Sequence, residues 1–140
     1  MNIYFACSIT GGREFESVYQ QIVAALLADG HEIPTSHLVE SEVTVRERLV
    51  TPQDVYERDV NWIRECDVLI AEVSVPSHGV GYEIGYALQI RKPVLCIHQE
   101  DRKVSKMITG NSDQALKVVS YTTVDEAISK SQVFLAGVKL

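Results

Sequence analysis

The chain has 140 residues, 46% of them hydrophobic, three cysteines and a formal net charge of −6. That length suits one domain, residues 1–140, with a sizeable core, and the acidic balance argues against a nucleic-acid-binding surface, whose footprint is basic. Cys7, Cys66 and Cys96 are too widely spaced for a CxxC metal site and fit buried thiols, no apolar run reaches the ~18–20 residues of a membrane span, and Met1–Phe5 opens a strand instead of a basic leader, so a cytoplasmic protein is expected.

In chain order, Asn2–Cys7 reads as a buried strand. The polar loop Ser8–Arg13 leads into a helix ending near Ala28, with Val18, Ile22, Val23, Leu26 and Leu27 at helical spacing and Asp29-Gly30 as its stop. His31–Ser36 is a weak second strand, and Pro34 within it marks an edge. Leu38–Thr51 is charged without a clean period and reads as an excursion over one end of the sheet. Pro52 opens a helix, Gln53–Glu65, with Val55, Val60, Trp62 and Ile63 as its apolar contacts. Asp67–Val73 is a nearly continuous apolar run, as expected of a strand covered on both faces of a parallel sheet. A Ser- and Gly-containing loop follows, then a helix Gly81–Ile90 carrying Glu83 in its first turn. Pro93–His98 is the next strand, Val104–Ile108 a single helical turn, Lys117–Tyr121 the last strand and Val124–Leu135 the closing helix. This alternation predicts a three-layer, doubly wound (flavodoxin/Rossmann-like) α/β fold, with a five-stranded parallel sheet and helices on both faces.

In such folds ligands bind at the carboxyl ends of the strands, at the topological switch point. Two loops meet that description, Ser8–Arg13 and Ser74–Glu83. Ser8, Ser77, Arg13 and the backbone N–H groups of Gly79 and Gly81 are the donors an anion such as phosphate needs, although polar glycine loops also end strands with no ligand at all. Glu83 presents a carboxylate at the same place, where the macrodipole of a first helical turn is expected to favour its ionised form. Asp59, in Tyr56-Glu57-Arg58-Asp59-Val60-Asn61-Trp62, is a second candidate; by composition alone it is more often a solvated helix residue. A carboxyl pair acting on a sugar carbon lies about 5–5.5 Å apart when one is a nucleophile and farther apart when water must fit between them. Tyr4 on its own reads as a core aromatic of the first strand.

The segments Ile3–Arg13, Asp59–Trp62 and Pro76–Gly85 together closely resemble the 2′-deoxynucleoside 5′-monophosphate N-hydrolases (Rcl type), a branch of the nucleoside 2-deoxyribosyltransferase superfamily. The resemblance runs in order from Tyr4 to the C-terminal helix. It implies cleavage of the N-glycosidic bond of nucleoside monophosphates to free base and sugar 5-phosphate, with no metal or cofactor. By the same resemblance Glu83 is the nucleophile, Asp59 orients the sugar and serves proton transfer at the leaving base, and Tyr4 holds the nucleophile. Ser8 and Ser77 are implied at the 5′-phosphate, where the loop's own donors add Gly79 and Arg13; Ile9, Gly81 and His37 are candidates around the base and sugar, His37 being equally placed to face solvent on the edge strand. Ser105 matches a family serine that reaches the phosphate in the neighbouring subunit's site, which implies a homodimer.

Ser77 separates substrates. Deoxyribosyltransferases typically carry an acidic residue six positions before the nucleophile to hold a free 5′-hydroxyl; a carboxylate there repels a phosphate dianion, whereas a serine hydroxyl donates to it. A nucleotide is therefore the expected substrate. Mammalian members have an arginine where this chain has Thr10, so phosphate binding is expected to be weaker here or to pass to Arg13 or His78, since charge-assisted hydrogen bonds are about twice as strong as neutral ones. A deoxyribosyltransferase that delivers the sugar to a second base, and a nucleotide-binding module without turnover, are the alternatives. Ribonucleotides of the CMP type stay open as substrates.

Overall fold

The computed structural model describes residues 1–9, 14–41 and 47–139. Strands β1 (Ile3–Ala6), β2 (Val68–Glu72), β3 (Val94–Gln99) and β4 (Leu116–Tyr121) form one parallel sheet in that order. Helices α1 (Glu16–Ala28), α2 (Pro52–Glu65), α3 (His78–Gln89), α4 (Lys106–Thr109) and α5 (Val124–Gly137) connect and flank it. No helix among the described residues is long and apolar enough to cross a membrane.

The strand period of two sorts the core into two layers. Ile3, Phe5, Val68 and Ile70 face α1 and α5, packing with Tyr19, Ile22, Leu26 and Leu135. Tyr4, Ala6, Leu69 and Ala71 face α2 and α3, packing with Ile63, Val80, Ile84 and Ala87. Both faces of β1 and β2 are buried, which explains their unbroken apolar sequence. The three-layer α/β architecture is as expected.

The expected five strands are four. His31–Ser36 contributes only a parallel bridge between Asn2 and Glu32, and Pro34–Val39 winds into a 3-10 helix. Proline has no N–H for a ladder and its φ is already near the helical value, so pairing stops there. The bridge, with Ile3 N donating to Glu32 O at 2.8 Å, still takes the chain to the edge of β1 away from β2. The chain then returns through α2 to β2 on the other side, so the switch point falls between β1 and β2.

Helix α3 begins earlier than the sequence pattern indicates. Ser77 is its N-cap, with its Oγ accepting from Val80 N at 3.4 Å, and the first turn holds no acidic residue. Glu83 consequently sits in the second turn. The loop before α3 is tied down by a buried network at the strand ends. Ser74 Oγ and Tyr121 Oη donate to Glu72, the latter at 3.0 Å, while Gln99 N donates to Ser74 Oγ at 2.7 Å. Burial pushes the Glu72 carboxyl above the usual carboxylate range, and these hydrogen bonds only partly counter it. The network joins the carboxyl ends of β2, β3 and β4 beneath the Ser74–Ser77 loop.

Candidate active site

Tyr4 lies on the α2/α3 face of β1 because Ile3 and Phe5 occupy the other face. It is fully buried, and its Oη donates to Glu83 Oε1 at 2.7 Å. Burial, with the negative charge of Glu83 beside it, drives the phenol's pKa far upward, so Tyr4 is a neutral donor at any ordinary pH. Glu83 is pushed up to about 7: burial raises it, the Tyr4 hydrogen bond lowers it, the charge of Asp59 raises it and that of Arg58 lowers it. The first-turn macrodipole stabilisation expected for an ionised Glu83 does not apply, since the dipole effect fades beyond the first turn and desolvation wins. A carboxyl that is partly protonated near neutral pH is the result.

Asp59 faces the same cleft from α2 and is also raised, by burial first, against the hydrogen bond and charge of Arg58. Arg58 Nε donates to Asp59 Oδ1 at 2.8 Å, and its Nη1 and Nη2 donate to the two oxygens of Glu47 at 2.9 and 3.1 Å. Among the described residues neither Asp59 Oδ2 nor Glu83 Oε2 carries a hydrogen bond. The two carboxyls thus share one arrangement: one oxygen anchored, the other free for chemistry. The cleft measures about 410 Å³ and is lined by Cys7, Ile9, Glu47, Val50, Asp59, Ser77, Gly79 and Glu83, among others. That space accommodates a nucleotide-sized ligand.

The expected phosphate residues divide. Ser77 and Gly79 line the cleft beside Glu83. Ser8 is fully buried at the end of β1, and its hydroxyl has no hydrogen-bond partner among the described residues. Arg13 and Thr10 lie outside the described residues. Ile9 lines the cleft, as expected near a base. His37 does not line it; it packs edge-on to Trp62 at 5.7 Å and approaches Glu47 at 3.7 Å, one layer behind the wall. Gly81 and Ser105 do not line it either, and both border a separate groove of about 630 Å³ between α3 and the α4 region. Ser105 is exposed and caps α4, accepting from Met107 N at 3.2 Å. His78 is exposed and borders that groove as well.

The sequence reading missed Arg58 and Glu47. Arg58 stands next to Asp59 in the chain, yet adjacent helix residues do not normally face one another, and nothing in the spacing ties Arg58 to a glutamate eleven positions upstream.

The nucleoside 2-deoxyribosyltransferase family model matches residues 3–130 of this chain. A provisionally named 2′-deoxynucleoside 5′-phosphate N-hydrolase 1 of Thermofilum pendens is 39% identical over 139 residues, which covers 98% of this chain and 96% of the relative. The 5-hydroxymethyl-dUMP N-hydrolase of Mus musculus is 42% identical over 116 residues, covering 80% of this chain and 66% of the relative. Among solved structures, the CMP N-glycosidase BcmB of Clostridium botulinum has the same fold, with a TM-score of 0.69 at 21% identity over 93% of this chain and 97% of that one. The Asp59 and Glu83 cleft at the β1/β2 switch point, with buried Tyr4 behind Glu83, agrees with a family match over nearly the whole chain, and the protein belongs to the nucleoside 2-deoxyribosyltransferase family.

Proposed function

We propose that this protein is a single-domain hydrolase that cleaves the N-glycosidic bond of (2′-deoxy)nucleoside 5′-monophosphates, releasing free base and (deoxy)ribose 5-phosphate. The observation that carries this reading is the pair of carboxyls, Glu83 and Asp59, in one cleft with one oxygen of each restrained. Full-length and partial relatives named as N-hydrolases of nucleoside monophosphates, at about 40% identity, support the choice of substrate class.

In the first half-reaction Glu83 Oε2 attacks the anomeric carbon as the bond to the base breaks, and the bonding pair leaves with the base nitrogen. A proton from Asp59 neutralises the base. In the second half-reaction water attacks the sugar ester of Glu83 and gives its proton to Asp59, which restores both carboxyls. Tyr4 keeps Glu83 oriented throughout. Ser77, Ser8 and the Gly79 N–H hold the phosphate. A serine hydroxyl at position 77 accepts a dianion that a carboxylate would repel.

Two further features belong to the same reading. The apolar groove beside the cleft, with Ile84, Leu88, Val104 and Ile108 in its lining, is covered by a second copy of the chain, which brings Ser105 of one subunit toward the phosphate of the other. Ser77 borders both cavities, so the groove adjoins the phosphate end. The buried thiols of Cys7, Cys66 and Cys96 suit a reducing cytoplasm.

The deciding experiment is chromatography of free base released from a panel of dNMPs, NMPs and the matching nucleosides, with Glu83→Ala as control. Release from monophosphates that disappears in the variant is the expected outcome. Transfer of the sugar to an added acceptor base in preference to water would make the protein a transferase, and tight binding without turnover would make it a binding module. Sedimentation of the protein and of Met107→Asp tests the dimer.

A further inference from the structure

We propose that Arg58, anchored through Glu47, is a positioning residue of the reaction: its guanidinium grips one oxygen of Asp59 and leaves the other to exchange a proton in the cleft. The inference rests on the N-glycosidase reading above and adds a residue to it.

The guanidinium is restrained on three sides. Its two terminal nitrogens fork onto Glu47 at 2.9 and 3.1 Å, its Nε reaches Asp59 Oδ1 at 2.8 Å, and its Cζ lies over the Trp62 ring, 5.0 Å from the centroid. Trp62 is one helical turn beyond Arg58 on α2 and is itself packed edge-on by His37. Arg58 and Glu47 side chains are only 24% and 16% exposed, so this is not a solvated surface pair. Nε being committed to Oδ1, an Asp59 proton can sit only on Oδ2. A planar five-donor fork can span two carboxylates in this way and a lysine ammonium cannot.

The groups facing Asp59 come from every neighbouring element: Arg58 on α2, Glu47 just before it, His37 on the 3-10 helix, Glu83 on α3 and Tyr4 on β1. Burial raises Asp59, Arg58 and His37 oppose the rise, and Glu47 adds to it. Arg58 also lowers Glu83. Loss of Arg58 therefore moves both carboxyls to higher pH and frees the Asp59 side chain to rotate, and misplacement of a reacting group by about 1 Å costs on the order of 10²-fold in rate.

The test is Arg58→Gln, read by base release from a dNMP across pH and by the titration of the Asp59 carboxyl carbon in ¹³C NMR, assigned with Asp59→Asn. The expected result is a fall in kcat of about 10²-fold, both limbs of the pH profile displaced upward, and an Asp59 midpoint above that of the parent protein. Limbs and midpoint unchanged from the parent would overturn the proposal even if the rate fell, because a clasp that merely pins the Glu47 segment moves neither. Should Arg58→Gln not fold, Arg58→Lys carries the test. It keeps the charge but not the fork, so limbs near the parent's with a lower kcat are expected, and a parental kcat overturns the positioning role. If the parent protein releases no base from any monophosphate, the hydrolase reading falls, while the Asp59 midpoint still decides whether Arg58 grips it.

Discussion

The phenol of Tyr4 donates to Oε1 of Glu83 across 2.7 Å, joining the first strand to the second turn of α3, 79 positions away in the chain. The bond has two consequences. It fixes which oxygen of Glu83 is free, and it is the main local interaction opposing the upward push of burial on that carboxyl.

Tyr4→Phe removes that donor and leaves the ring packing in place. Glu83 then rises further, so the acid limb of base release moves to higher pH, and kcat/KM at neutral pH falls by roughly 10–100-fold as both ionisation and orientation are lost. A pH–rate profile of the variant checks it; an acid limb at the parent's position would show that Tyr4 does not control Glu83.

Because only the ionised form of Glu83 is a nucleophile, activity of the parent protein should rise with pH through about 7. The same group opposes stability at high pH. Its folded value of about 7 lies above the ordinary 4.5, so between these the folded state keeps a proton the unfolded chain has released. The stabilisation is full below about 4.5 and is lost as pH climbs through 7. Glu83→Gln abolishes base release, by about 10⁴-fold or more, and unfolds in urea with a stability that declines less steeply across this window, since the raised carboxyls of Asp59 and Glu72 remain, and that exceeds the parent's at pH 8 by on the order of 3 kcal/mol.

Ser77→Asp places a carboxylate beside Gly79 at the cleft. Repulsion of the phosphate dianion should lower kcat/KM for monophosphates by about 10²-fold, an energy of roughly 3 kcal/mol, with nucleosides little affected. Parallel kinetics on dCMP and deoxycytidine, or another matched pair, give the ratio. Because aspartate caps a helix as well as serine does, equal losses on both would mean that the new carboxylate disturbs the cleft as a whole and that Ser77 does not act on the phosphate.

Tyr121→Phe deletes a buried hydrogen bond to Glu72 in the strand-end network. The expected cost is about 1–3 kcal/mol in chemical denaturation. The pH limbs of base release should not move, since Tyr121 touches neither Glu83 nor Asp59.

The sequence by itself determined the layered α/β fold, because an apolar run such as Val68–Ala71 is stable only with helices on both faces. It also marked the loops at the switch point and, through three ordered motifs, Tyr4, Asp59, Ser77 and Glu83 as candidate site residues. The expected fifth strand does not form because Glu32 pairs for one residue only before Pro34 removes a donor, and period alone does not count ladder bonds. Glu83 falls a turn later than the sequence pattern indicates because the Ser77 cap starts the helix at His78, ahead of glycines that mark loop or helix start by composition. Tertiary structure alone decided the charge of the site. Macrodipole reasoning argued for a readily ionised Glu83, and the opposite shift arises from desolvation, which depends on what surrounds a carboxyl in space. It alone also brought Glu47 and Arg58 to Asp59, since a guanidinium fork needs partners within about 3 Å and one-dimensional spacing carries no such distance.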